Sequence, residues 1–151
     1  MALTKINNNT LSAVTTLPAA IATGKVLQVV TATDSTERST TSSTFVTVSN
    51  TLSVDITPSS TSSKIFIIAN VGMHSSTTTG NSILTIYRDI TNLGNGDNGI
   101  AQLYYEGGSD IASSQALSIL DTPSTTSAVT YTVVLLQLVV QLFLMVGVKK
   151  I

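Results

Sequence analysis

Residues 52–68, LSVDITPSSTSSKIFII, limit the fold more than any other stretch of this 151-residue chain. In an extended backbone Leu52, Val54 and Ile56 share one face, while Ser53, Asp55 and Thr57 share the other. Pro58 has no N–H to give a ladder, so the first strand ends there. The polar run 59–63 makes no packing demand. Ile65, Phe66, Ile67 and Ile68 then put apolar side chains on both faces, as a central strand covered on both sides requires. The segment reads as strand, link, strand.

The same device occurs twice. Residues 55–63, DITPSSTSS, lead into KIFI, and residues 121–127, DTPSTTS, lead into AVTYTV. In a Greek-key arrangement such links are arches from one sheet to the other. Further strands are expected at 25–31 (KVLQVVT), 44–48, 52–56, 65–71, 82–88 (SILTIYR), 100–105 (IAQLYY), 116–120 and 129–133. Turn-forming runs separate them, among them SSTTTGN, NLGNGDNG and EGGSD. About eight short strands at near-regular spacing predict an all-β chain: an antiparallel β-sandwich of jelly-roll or Greek-key type. The expected core is Leu27, Val29, Phe45, Val54, Ile56, Ile65, Ile67, Ile86, Leu103, Leu117, Ile119, Val129 and Tyr131. Residues 24–133 would be that domain.

Residues 1–23 read as an extended N-terminal arm. Leu11, Val14, Leu17 and Ile21 are spaced to form one apolar helical stripe, but Pro18 and the nearby threonines oppose a long helix. The two readings are a plain tail and an assembly arm that docks on a neighbour. The polar NNNT after Lys5 interrupts any apolar run, so no signal peptide is read here.

Composition narrows the function. Seven basic and eight acidic residues give a net charge of −1, which supplies no long-range field for nucleic acid or an anionic membrane. Only 10% of residues are charged, whereas 45 of 151 are Ser or Thr. A surface coated with hydroxyls instead of charges suits burial in a larger assembly. The absence of cysteine excludes disulfides, thiolate metal sites and cysteine nucleophiles.

Catalytic signals are weak. His74 is the single histidine, so one chain cannot build a nitrogen-rich metal site; an exposed position, or one on a three-fold axis, is the ordinary reading. The eight acids are scattered. The loop 94–99, GNGDNG, resembles a calcium loop but holds one carboxylate, Asp97, where a strong site needs several; it reads as a turn. No cofactor and no metal are expected. Binding surface remains. Tyr87, Tyr104 and Tyr105 are amphipathic side chains suited to sugar or protein contact, with core or subunit packing as the plainer use. Tyr104 and Tyr105 must face opposite ways on one strand. With His74, Asp97 and Asn98 they are the candidate partner-facing residues. The loops 75–81, 92–98 and 106–109 are the candidate tips.

The tail 134–151 changes character: VLLQLVVQLFLMVGV is almost wholly apolar. It is short for a membrane span and interrupted by Gln137 and Gln141. Leu135, Leu138, Leu142 and Met145 have helical spacing, so a buried helix or a strand pair at an interface is one reading. A shifted reading frame is another. Read one frame over, Met145 followed by Val146 gives Gly whatever the valine codon, and a strand, turn and Gly-rich end is permitted throughout. The nucleotide sequence decides between these.

The opening MALTKI, the entry GKVLQVV, the segment LSVDITPSSTSSKIFI, the strand TIYRD and LSILDTPSTTSAVTYTV together resemble small structural proteins of tailed phages, particularly marine ones. The resemblance implies a non-enzymatic virion protein, a β-sandwich often trimeric, at the tail or head surface. It would serve as a tail-fibre or receptor-facing component, or alternatively as a capsid decoration. Its partners would be further copies, other virion proteins and a host-surface glycan or protein. GKVLQ and YTV also resemble the trimeric jelly-roll heads of C1q and tumour necrosis factor, a likeness of fold alone. A lectin-like carbohydrate-binding module is the reading from another class.

Overall fold

The computed structural model describes residues 26–75, 79–106, 110–138 and 142–146. Among the described residues there are eight strands and no helix: β1 (Ser53–Ile56), β2 (Ile65–Ser75), β3 (Thr79–Arg88), β4 (Thr91–Asn92), β5 (Ala101–Glu106), β6 (Ile111–Asp121), β7 (Val129–Leu138) and β8 (Leu142–Val146). All ladders are antiparallel. One sheet runs β1-β7-β3, with β4 and β5 both on the far side of β3; the other runs β6-β2-β8. The chain is all-β, as its alternation predicts.

Periodicity explains the individual strands. Along β6, exposure alternates over all eleven residues: Ile111, Leu117 and Ile119 turn inward, and Ala112, Ser114 and Ser118 turn out. Both sheets feed one hydrophobic cluster. Val71, Met73 and Leu117 come from one, and Leu84, Ile86, Leu103, Tyr131 and Leu135 from the other. Each such side chain, fully withdrawn from water, contributes about 1.5–3 kcal/mol. Gly99, at φ +57°, could not carry a side chain, because a Cβ would collide with the Leu84 carbonyl oxygen.

The registers place the two Thr-Pro-Ser links. Ile56 pairs with Val129, and Ile65 with Asp121. Links 57–64 and 122–128 therefore lie side by side at one end of the molecule. Each leaves one sheet and enters the other, and neither closes a hairpin. Pro58, at the end of β1, is buried.

Several expectations need correction. The expected strand 25–31 is absent over its described part, since residues 26–33 belong to no ladder or bridge. Leu27 and Val29, expected in the core, are 69% and 67% exposed, because no described strand covers them. Residues 44–48 make a single bridge, Val46 to Leu135, instead of a strand. Phe66 and Ile68 face outward and are exposed, so β2 is apolar on two faces but covered on one.

The strand expected to end at 133 continues to Leu138, and Val134, Leu135 and Leu136 are buried. Leu142–Val146 pairs with β2 over Val71–Ser75. The helical spacing of Leu135, Leu138, Leu142 and Met145 thus marks no helix: the first two lie in β7 and the others in β8. Among the described residues, no helix is long and apolar enough to cross a membrane. The arm residues Leu11, Val14, Leu17 and Ile21 lie outside the described residues.

Candidate functional site

The candidate residues fall at the two ends of the sheets and on one sheet edge. Ser75, Thr79, Glu106 and Ile111 terminate strands at one end: Ser75 pairs with Ile111, and Thr79 with Glu106. His74, Tyr104 and Tyr105 sit one or two residues from these termini. Tyr87 belongs to the opposite end, beside the arches, because β3 finishes there with Arg88 opposite Tyr131, whereas Asp97 and Asn98 sit on a loop between β4 and β5 that leaves the outer edge of β3 beside Leu84–Ile86. Ser75 and Thr79, and Glu106 and Asp110, which flank two of the candidate tips, share the first end, and residues 79–81, expected in a loop, belong to β3. The loop 92–98, grouped with these in the sequence, lies at neither end: β4 before it and β5 after it both flank β3, so it projects from the edge of the sheet.

At the first end Tyr104 and Tyr105 face opposite ways, as strand alternation demands. Tyr104 is 60% exposed and Tyr105 half-buried. His74 is half-buried, and its Nε2 lies 3.8 Å from a carboxylate oxygen of Asp110. The sequence suggested no acid beside this histidine. The β2–β6 register creates the proximity by setting His74 opposite Ala112.

At the arch end Tyr87 is half-buried with its ring 6.2 Å from Phe45, so packing accounts for it. Asp97 and Asn98 are exposed on a turn built by Asn95. The Asn95 side-chain oxygen accepts from the Asp97 N–H at 3.0 Å and the Asn98 N–H at 3.1 Å. The amides of Asp97 and Asn98 are thereby used within the turn. Among the described residues, no three His, Cys, Asp or Glu side chains gather as a metal site would need.

Two polar centres were not visible in the sequence. In the first, Arg88 Nη1 donates to both oxygens of Asp121, each at 2.8 Å, and the Tyr131 hydroxyl donates to Asp121 Oδ2 at 2.6 Å. Asp121 ends β6 in one sheet, whereas Arg88 and Tyr131 belong to the other, so the three groups tie the sheets together below the second arch. Burial, reinforced by the Asp121 hydrogen bond, pushes the Tyr131 phenol well above its usual value. The carboxylate is saturated by its donors and is suited to holding structure rather than chemistry. Arg88 and Asp121 stand 33 residues apart, and no local pattern links them.

In the second, Asp34 is buried. Its carboxylate accepts from the Ser49 hydroxyl, from the Thr36 N–H at 2.8 Å and from Arg38 Nε at 3.2 Å. The Ser49 hydrogen bond, then that from Thr36, holds this carboxyl far below the usual carboxylate range. Asp34 thereby fixes the segment that precedes β1.

That segment borders an apolar cleft. Residues 26–32 form one wall of the cleft, whose volume is ≈ 720 Å³, and residues 52–59 and 63–69 form much of the rest. Ile86 and Tyr131 lie at its floor, so the cleft opens onto the core.

No protein-family model, curated protein or solved structure matches the chain.

Proposed function

We propose that this chain is a non-enzymatic structural protein of a phage virion, in which copies of a jelly-roll-like β-sandwich assemble as a homotrimer in a tail-fibre or receptor-facing appendage. The sequence resemblance supplies the virion. The strand order β1-β7-β3-β5 opposite β2-β6 supports the jelly roll, since it is the order obtained by folding one long antiparallel hairpin over itself. One observation carries the assembly: Val26, Leu27, Val29, Phe66, Ile68 and Leu120 are all more than half exposed on a chain with 10% charge. A surface this apolar is covered by neighbours or it aggregates. Residues 1–23 would attach the domain to other virion proteins.

Labelling of intact particles with an antibody to the purified chain tests this reading. Label on the tail supports the appendage. Label over the head favours a decoration protein. No label on any particle defeats both. Tyr104, 60% exposed near a rim of strand ends, supports a sugar-binding role within the same architecture. Specific signal on a glycan array that is lost in Tyr104→Ala is the expected result for an adhesin.

A further inference from the structure

Strand β2 is covered unequally along its length. β6 runs beside all eleven residues, but β8 reaches only Val71–Ser75. Ile65–Asn70 therefore has, among the described residues, one ladder partner and one open edge. Residues 65–69 of that stretch and residues 26–32 both line the apolar cleft. A strand edge that no described strand covers, facing an apolar opening, is a template for an added strand.

The chain carries a strand that fits. Residues 26–31, VLQVVT, match the open stretch in length, are rich in β-branched side chains and belong to no ladder. Val26, Leu27 and Val29 are 78%, 69% and 67% exposed. Neither VLQVVT nor IFIIAN holds a charged side chain, so neither carries the usual guard against edge pairing. Within one copy residues 26–31 line the cleft without joining a ladder, and three residues beyond Thr31 the buried Asp34 is held by Ser49, Thr36 and Arg38.

We infer that residues 26–31 of one copy add as a strand to the open Ile65–Asn70 edge of β2 in a second copy. Donor and acceptor are different surfaces, so the contact is head-to-tail, and repeats of it form a ring where the rotation between copies closes. The inference rests on the proposed homotrimer only for the number of copies in that ring.

The chain has no cysteine, so introduced thiols report cleanly. Full-length Val29→Cys chains are mixed with full-length Ile67→Cys chains and oxidised, and the doubly substituted chain is oxidised alone. Light scattering of the unmodified chain and of Val29→Asp accompanies this. The expected results are a mixed disulfide containing one chain of each kind, an unmodified assembly at a multiple of 15.7 kDa, and Val29→Asp at the mass of one chain with an unchanged far-ultraviolet spectrum. Val29 is exposed, so its substitution tests assembly without touching the core. A single-chain mass for the unmodified protein would overturn the inference. So would a disulfide formed only within the doubly substituted chain, or an undiminished assembly in Val29→Asp. A mixed disulfide in a two-chain assembly supports the strand donation and removes the three-copy reading. A three-chain assembly without the mixed disulfide does the reverse.

Discussion

The two arches have nearly the same sequence and very different surroundings. Both begin at an aspartate, continue through Thr-Pro-Ser and cross between sheets at the same end. The first connects β1, at the edge of its sheet, to the half-covered strand β2; its aspartate, Asp55, is exposed and accepts one hydrogen bond, from the Thr130 hydroxyl at 2.6 Å. The second connects β6 to β7, which lies between β1 and β3; its aspartate, Asp121, takes three hydrogen bonds from Arg88 and Tyr131. The first arch opens onto the cleft and the second is tied shut. Local sequence specified the same backbone device twice, and the neighbours decided which copy holds the sheets together and which borders the cleft.

Truncation of side chains in the strands beyond each arch should break this comparison most clearly. Leu135→Ala, at a fully buried position of β7, is expected to cost about 3–4 kcal/mol. Val54→Ala, half-buried in the edge strand β1, should cost about 1 kcal/mol. Urea unfolding of both variants measures the difference, and equal losses would remove the distinction between central and edge strands. Next, Asp121→Ala leaves Arg88 and Tyr131 without their acceptor. Arg88 keeps some access to solvent, so the expected loss is about 2–3 kcal/mol, below that of a fully buried pair.

A smaller effect is expected from Tyr131→Phe, about 1 kcal/mol near neutral pH. Its pH dependence sharpens the point. The folded chain raises the Tyr131 phenol, so this group's contribution is complete below the unfolded value of about 10 and is lost as pH rises toward the folded one. Thermal melts should show the unmodified chain losing stability above that pH faster than Tyr131→Phe; parallel profiles would deny the tyrosine its role. Smallest of all, Asp55→Asn in the first arch should change stability by no more than about 0.5 kcal/mol, since an exposed hydrogen bond exchanges readily for water. A loss as large as that of Asp121→Ala would make the arches equivalent.

Much of the fold was legible because alternation and turn chemistry are local. The strands at 52–56, 82–88 and 100–105 appear within three residues of their expected ends, and the Pro58 stop is observed. The tail misled because its helical spacing and its strand potential draw on the same leucines. Pairing with β3 and β2 selected the strands. The candidate site was less legible. Tyr104 and Tyr105 could be assigned opposite faces from their adjacency alone. That His74 approaches Asp110, and that Asp97 lies on a loop at the outer edge of β3, depends on register and sheet order, which no local window contains.

By itself, then, the sequence determined the strand content, the two arches and a surface poor in charge, since each follows from neighbours a few residues apart. Tertiary structure alone decided that Arg88 meets Asp121, that Asp34 is buried against Ser49, and that Leu27 and Val29 stand exposed beside a cleft lined by the part of β2 that no second described strand covers. Those outcomes depend on groups far apart in the chain. An apolar strand becomes core only where the sheet provides a neighbour to cover it, and residues 26–31 have none within their own copy's ladders.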